Sequence, residues 1–117
     1  MVGNIKIIYG IYTAKERGGE TMKIVLKFTY DADIISIPFE HIFFLKKYQN
    51  SFDEWIHNDE IEHPYWDYSS GDKVACFRGD AFVFWLNKFI LNDSPQKAIL
   101  LKQCVEKYNF LLPSLFF

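Results

Sequence analysis

Residues 57–63 read His57-Asn58-Asp59-Glu60-Ile61-Glu62-His63, a run of imidazoles and carboxylates that are donors for a transition metal. Their spacing matches no standard motif and HExxH is absent, so two histidines solvated in an acidic loop are the simpler reading. Glu60 with Glu62, or Asp67 with Asp72, offers a carboxylate pair for acid/base work if one is buried and its fellow solvated. Trp66 and Tyr68 could stack a sugar ring beside them, although 117 residues make a small frame for a glycosidase cleft. Cys76 or Cys104 would need a base to act as a nucleophile. His41, His57 and His63 are present, but no local signature joins any of them to a cysteine. Both thiols read as buried and structural. The sequence holds no CxxC, no GxxxxGK[ST] and no GxGxxG, which speaks against a zinc knuckle or a phosphate-cradling loop. No catalytic residue, metal or cofactor is expected. Arg78-Gly79-Asp80 resembles an adhesion tripeptide but reads better as a turn, with Asp80 capping the following helix.

Charge gives a sharper signal than any of these. Residues 51–72 carry seven of the fifteen acids and no Lys or Arg: Asp53, Glu54, Asp59, Glu60, Glu62, Asp67 and Asp72. Phe52, Trp55, Tyr65, Trp66 and Tyr68 are interleaved with them. The local charges are +3 for residues 1–30, −1 for 31–50, −7 for 51–72 and +3 for 73–117, so a net charge of −2 conceals a polarised chain. A dense negative field steers a positive partner, and Trp and Tyr supply rigid contact area. The bases are scattered, and the acidic aromatic segment would repel phosphate, which disfavours nucleic acid.

Through this segment the chain resembles, as a class, the immunity proteins of bacterial toxin systems, including those of contact-dependent inhibition. The resemblance implies a cytoplasmic protein that occludes the basic active site of a cognate toxin, commonly a nuclease, without doing chemistry itself. Asp53, Glu54, Trp55, Asp59, Glu60, Glu62, Tyr65, Trp66, Asp67, Tyr68 and Asp72 are the expected partner-binding residues. Immunity proteins span many folds, so the resemblance leaves topology open.

The scaffold that must carry this segment reads as α+β, an antiparallel meander sheet with helices packed on one face. The length fits a single domain. Half the residues are apolar and 19% aromatic, enough for a core and against disorder of the body. Residues 4–13, 22–30 and 34–37 alternate as strands, with 22–30 pairing back on the first and a turn at Asp31–Asp33. Pro38 opens a helix to about Tyr48. Ser51 with Glu54 forms a capping box for a short helix, residues 52–57. An acidic loop follows to residue 72, then a fourth strand at 73–77. Residues 81–91 give the strongest helix signal, apolar nearly all round. A last helix is expected over residues 96–108. The apolar tail, 110–117, either packs on the sheet or forms an interface.

Lys15-Glu16-Arg17-Gly18-Gly19-Glu20 ahead of Met22 permits a purine-rich ribosome-binding stretch in the gene, so Met22 is an alternative start with residues 1–21 as a leader. No run of apolar residues is long enough for a membrane span, and no signal peptide is evident, which makes the cytoplasm the default location. Two other roles compete with the immunity reading. One is a structural subunit of an obligate oligomer built on the apolar C-terminal half. The other is a small metal- or carbohydrate-directed enzyme at residues 57–68.

Overall fold

A computed structural model describes residues 5–8, 11–16 and 19–117. It is α+β, as the patterning implies. Strands β1 (Ile5–Ile8), β2 (Ile11–Glu16), β3 (Gly19–Lys27) and β4 (Ala32–Pro38) form an antiparallel meander. The single first strand expected over residues 4–13 is instead two: β1 pairs with β2, and only β2 pairs with β3. The leader alternative turns on residues that lie partly outside those described.

In β3, Met22, Ile24 and Leu26 point into the core, opposite Ile37, Ile35 and Asp33 of β4. Period-2 alternation thus builds one face of the sheet. All seven residues of β4 are buried, as a central strand requires. Asp33 belongs to this strand and not to the turn, which spans residues 28–31 and is closed by the Phe28 amide donating to the Asp31 carbonyl.

Pro38 leads into a 3₁₀ turn, Phe39–Phe44, which runs into the helix α1, Leu45–His57. The two helices expected here are one. Ser51 and Glu54 lie inside it, so the predicted capping box does not form. Leu45, Gln49, Phe52 and Ile56 are its buried stripe, at the 3- and 4-residue spacing of one helical face. Phe52 is therefore core rather than surface, with edge-on rings from Phe77, Phe82 and Trp85 at 5.2, 5.3 and 6.2 Å.

The acidic stretch supplies the first strand of a minimal hairpin, β5 (Trp66–Asp67), which pairs with β6 (Val74–Ala75) just beyond it, separate from the main sheet. The strand expected at 73–77 shrinks to these two residues. α2 (Gly79–Trp85) continues into a π-turn, Leu86–Ile90, closed by the Leu91 amide on the Leu86 carbonyl at 2.8 Å. The wider turn breaks the helical phase, and Phe89 comes out to the surface.

The helix expected over 96–108 is a strand, β7 (Ile99–Val105), antiparallel to β4. Lys, Leu, Gln and Glu give this stretch helical propensity, but pairing with a buried strand overrides it. The side-chain amide of Asn87 fixes the entry by bonding both the carbonyl and the amide of Ala98. Cys104 has φ 56 within an irregular register, and both cysteines are exposed rather than buried.

The tail packs on the sheet. β8 (Ser114–Phe116) lies parallel to β3, beyond the stretch of β3 that pairs with β2. Leu115 is buried, and the Phe117 ring sits 5.3 Å from Phe82 and 5.7 Å from Phe28. The core therefore lies between one face of this sheet, β8 included, and the layer formed by α1 and α2.

Candidate partner-binding surface

Asp33 fixes where α2 begins. Its carboxylate is fully buried and collects three kinds of donor: the Arg78 guanidinium at 2.7 Å, the Gly79 amide at 2.8 Å and the Cys104 amide at 3.0 Å. Asp80 is in the first turn but makes no cap, so the cap comes from a strand instead. Burial would raise the Asp33 carboxyl, but the Arg78 hydrogen bond, the two amides and the Arg78 charge outweigh it and hold it below the ordinary value. Arg78 also bonds Asp31 at 2.7 Å and lies over the Phe28 ring at 4.5 Å. The tripeptide thus serves as an internal joint.

With α2 placed, Phe84 and Phe89 reach the aromatic side chains of the acidic segment. Trp55, from the last turns of α1, has its ring 6.2 Å from Phe84, 5.9 Å from Phe89 and 4.8 Å from His63. Tyr65 lies 6.1 Å from Phe84. Burial, and then the Asp80 charge, push the Tyr65 phenol up. His63 bridges the loop: one ring nitrogen lies 2.9 Å from the Ile56 carbonyl and the other accepts the Tyr65 amide. The His63 ring stacks on Trp66 at 4.4 Å, and the Trp66 indole donates to the Ile61 carbonyl at 2.8 Å. Phe84 and Phe89 are 39% and 47% exposed, so this aromatic layer reaches the surface.

The structure thus brings Trp55, Tyr65 and Trp66 together. Asp59 and Glu62 join them through Lys73, whose ammonium donates to the Asp59 carbonyl at 2.6 Å and lies 3.8 Å from the Glu62 carboxylate. Glu60 is exposed in the same turn, its amide bonded to the Asn58 side chain. Tyr68 is exposed beyond β5, and Asp72 is exposed in the turn where Gly71 takes a φ of 91. Asp53 stands apart: two positions along a helix turn it about 200° from Trp55, to the opposite side of α1, with Glu54 between them. Asp67 is engaged locally. Its carboxylate accepts the Ser69 amide at 2.9 Å and the Cys76 thiol at 3.6 Å, and the Ser69 bonds pull its pKa down.

Phe84, Phe89 and Lys73 escaped the sequence reading of the site, and His63 entered it only as a metal donor or a base. The available signal was an α2 sequence apolar on more than one side, which a buried helix shares with a helix that has an aromatic outer face.

A shallow groove of about 410 Å³ adjoins this surface, lined by Tyr65, Cys76, Phe77, Arg78, Asp80 and Gln103. Loss of water around the sulfur, and then Asp67, push the Cys76 thiol up, away from the thiolate a nucleophile needs. Among the described residues no group of three or more His, Cys, Asp or Glu is placed to hold a metal ion. None of the described helices is long and apolar enough to cross a membrane. No protein-family model, curated protein or solved structure matches the chain.

Proposed function

We propose that the protein binds a basic protein partner stoichiometrically, as a cytoplasmic immunity protein that occludes a cognate toxin domain of the nuclease kind. It performs no chemistry in this role. The observation that carries the reading is the half-exposed layer of Trp55, Tyr65, Phe84 and Phe89, set beside a segment with seven acids and no base before Lys73. Aromatic side chains that are rigid and partly desolvated make good interface centres, and the acids supply long-range steering.

The test is a tagged pull-down from native lysate at low and high salt, with Glu60→Lys/Glu62→Lys as the control. A basic partner that is lost at high salt and lost with the reversal supports the reading. Capture unaffected by salt and by the reversal moves the interface elsewhere.

One observation favours a second reading, a subunit of an oligomer. Among the described residues, β7 pairs only with β4, and it exposes Ile99 and Leu101 beside its other edge. An apolar sheet edge is a template for strand pairing. Light scattering separates the two readings, since a salt-independent dimer supports the subunit.

A further inference from the structure

Lys73 is the first base after the acid-only stretch, and its ammonium already occupies the acidic aromatic surface. Nζ lies 4.6 Å over the Trp66 ring, 2.6 Å from the Asp59 carbonyl and 3.8 Å from the Glu62 carboxylate. These are the attractions that select an organic cation: a π face, a carbonyl acceptor and a negative charge. We propose that Asp59, Glu62 and Trp66 form a subsite for an alkylammonium or guanidinium group, which Lys73 fills in the free protein and a partner's Lys or Arg takes over. The idea rests on the partner-binding reading above and names what that partner must present.

The aromatic wall of the subsite has supports other than Lys73. Trp66 is held by its indole bond to Ile61, by the stacked His63 ring and by pairing with Ala75. His63 is in turn bonded to Ile56 and Tyr65. Lys73 reaches across the hairpin with its side chain 25% exposed, and Glu62 is 85% exposed at the far end of a long ion pair. Such a pair is weakly held in water. The internal lysine therefore lowers the apparent affinity for an incoming cation by the fraction of time it occupies the subsite.

Chemical rescue tests this without knowledge of the partner. Lys73→Ala and wild type, as full chains, are titrated with n-propylammonium chloride, with sodium chloride at matched concentration as control. The readout is the Trp66 indole ¹H–¹⁵N resonance. The Lys73→Ala signal should move saturably, with half-saturation at roughly tenfold lower concentration than in wild type. Glu62→Gln in the Lys73→Ala background should weaken the response. A Lys73→Ala signal that follows sodium chloride alone overturns the proposal. If Lys73→Ala loses the hairpin, wild type decides: its indole signal should move beyond the salt control at the top of the range, and no movement overturns the subsite. Saturable rescue with a failed pull-down keeps the subsite and removes the partner reading. A salt-sensitive partner with no propylammonium response keeps the reading and removes the subsite.

Discussion

The Oδ2 atom of Asp33 accepts the Gly79 amide hydrogen at 2.8 Å, across 46 residues of sequence, and so caps α2 from the middle of the sheet. Because its folded pKa is lowered, this carboxylate contributes stability that is fully present above the unfolded aspartate value of about 3.9. That contribution falls away as pH drops through the lower folded value. Asp33→Asn leaves Arg78 with only Asp31 as a charged partner and should cost about 1.5–3 kcal/mol near neutral pH. Urea unfolding from pH 7 to pH 2.5 checks it: the gap between wild type and variant should narrow at the acid end.

Gly79→Ala tests the same joint from the opposite side. A Cβ there would stand 2.8 Å from Asp33 Oδ2 and 2.9 Å from Asp33 Cβ, and 3.2 Å from Leu26 Cδ1. Either α2 shifts or the carboxylate loses its geometry, at about 1–3 kcal/mol. Thermal unfolding of Gly79→Ala, Asp33→Ala and the double variant should show partly sub-additive losses, since removing the carboxylate relieves the contact with Oδ2 while that with Asp33 Cβ remains.

Local pattern carried the meander, because the alternation of Met22, Ile24 and Leu26 specifies a face whatever the rest of the chain does. It carried α2 for the same reason. It missed Asp33, since a carboxylate near a turn is ordinarily solvated, and its donors Arg78, Gly79 and Cys104 lie at least 45 residues away. It misplaced residues 99–105 because helix propensity is local while strand pairing with β4 is not. The site was half legible. Acid and aromatic content marked residues 51–72, but only tertiary packing could add Phe84 and Phe89, or sink Phe52 into the core.

Three phenylalanines separate core from surface. Phe52 is fully buried among Phe77, Phe82, Trp85 and Phe117, so Phe52→Ala should cost about 3–5 kcal/mol. Phe117 is half-buried against the same rings, and Phe117→Ala should cost a smaller but clear amount. Phe116 is 72% exposed on the other side of β8, and Phe116→Ala should stay within roughly 0.5 kcal/mol. Denaturant midpoints for the three variants check the order. A Phe117→Ala variant as stable as wild type would show that the Phe117 ring adds nothing to the core.

Partner kinetics should divide the surface into steering and contact. Glu60→Lys reverses an exposed charge outside the cation subsite, so association should slow and lose part of its salt dependence. Phe89→Ala and Tyr68→Ala remove exposed rings, at 47% and 58%, and should mainly raise the dissociation rate. Trp66→Ala differs from both, because that indole holds Ile61, His63 and Lys73 in place and its loss should disturb the loop as well as binding. Surface plasmon resonance against the captured partner, with circular dichroism as a folding control, reads all of these. If Phe89→Ala and Tyr68→Ala leave dissociation unchanged while the charge reversal still slows association, the acids steer a partner that seats on a different face, with β7 and its exposed Ile99 and Leu101 the next surface to test.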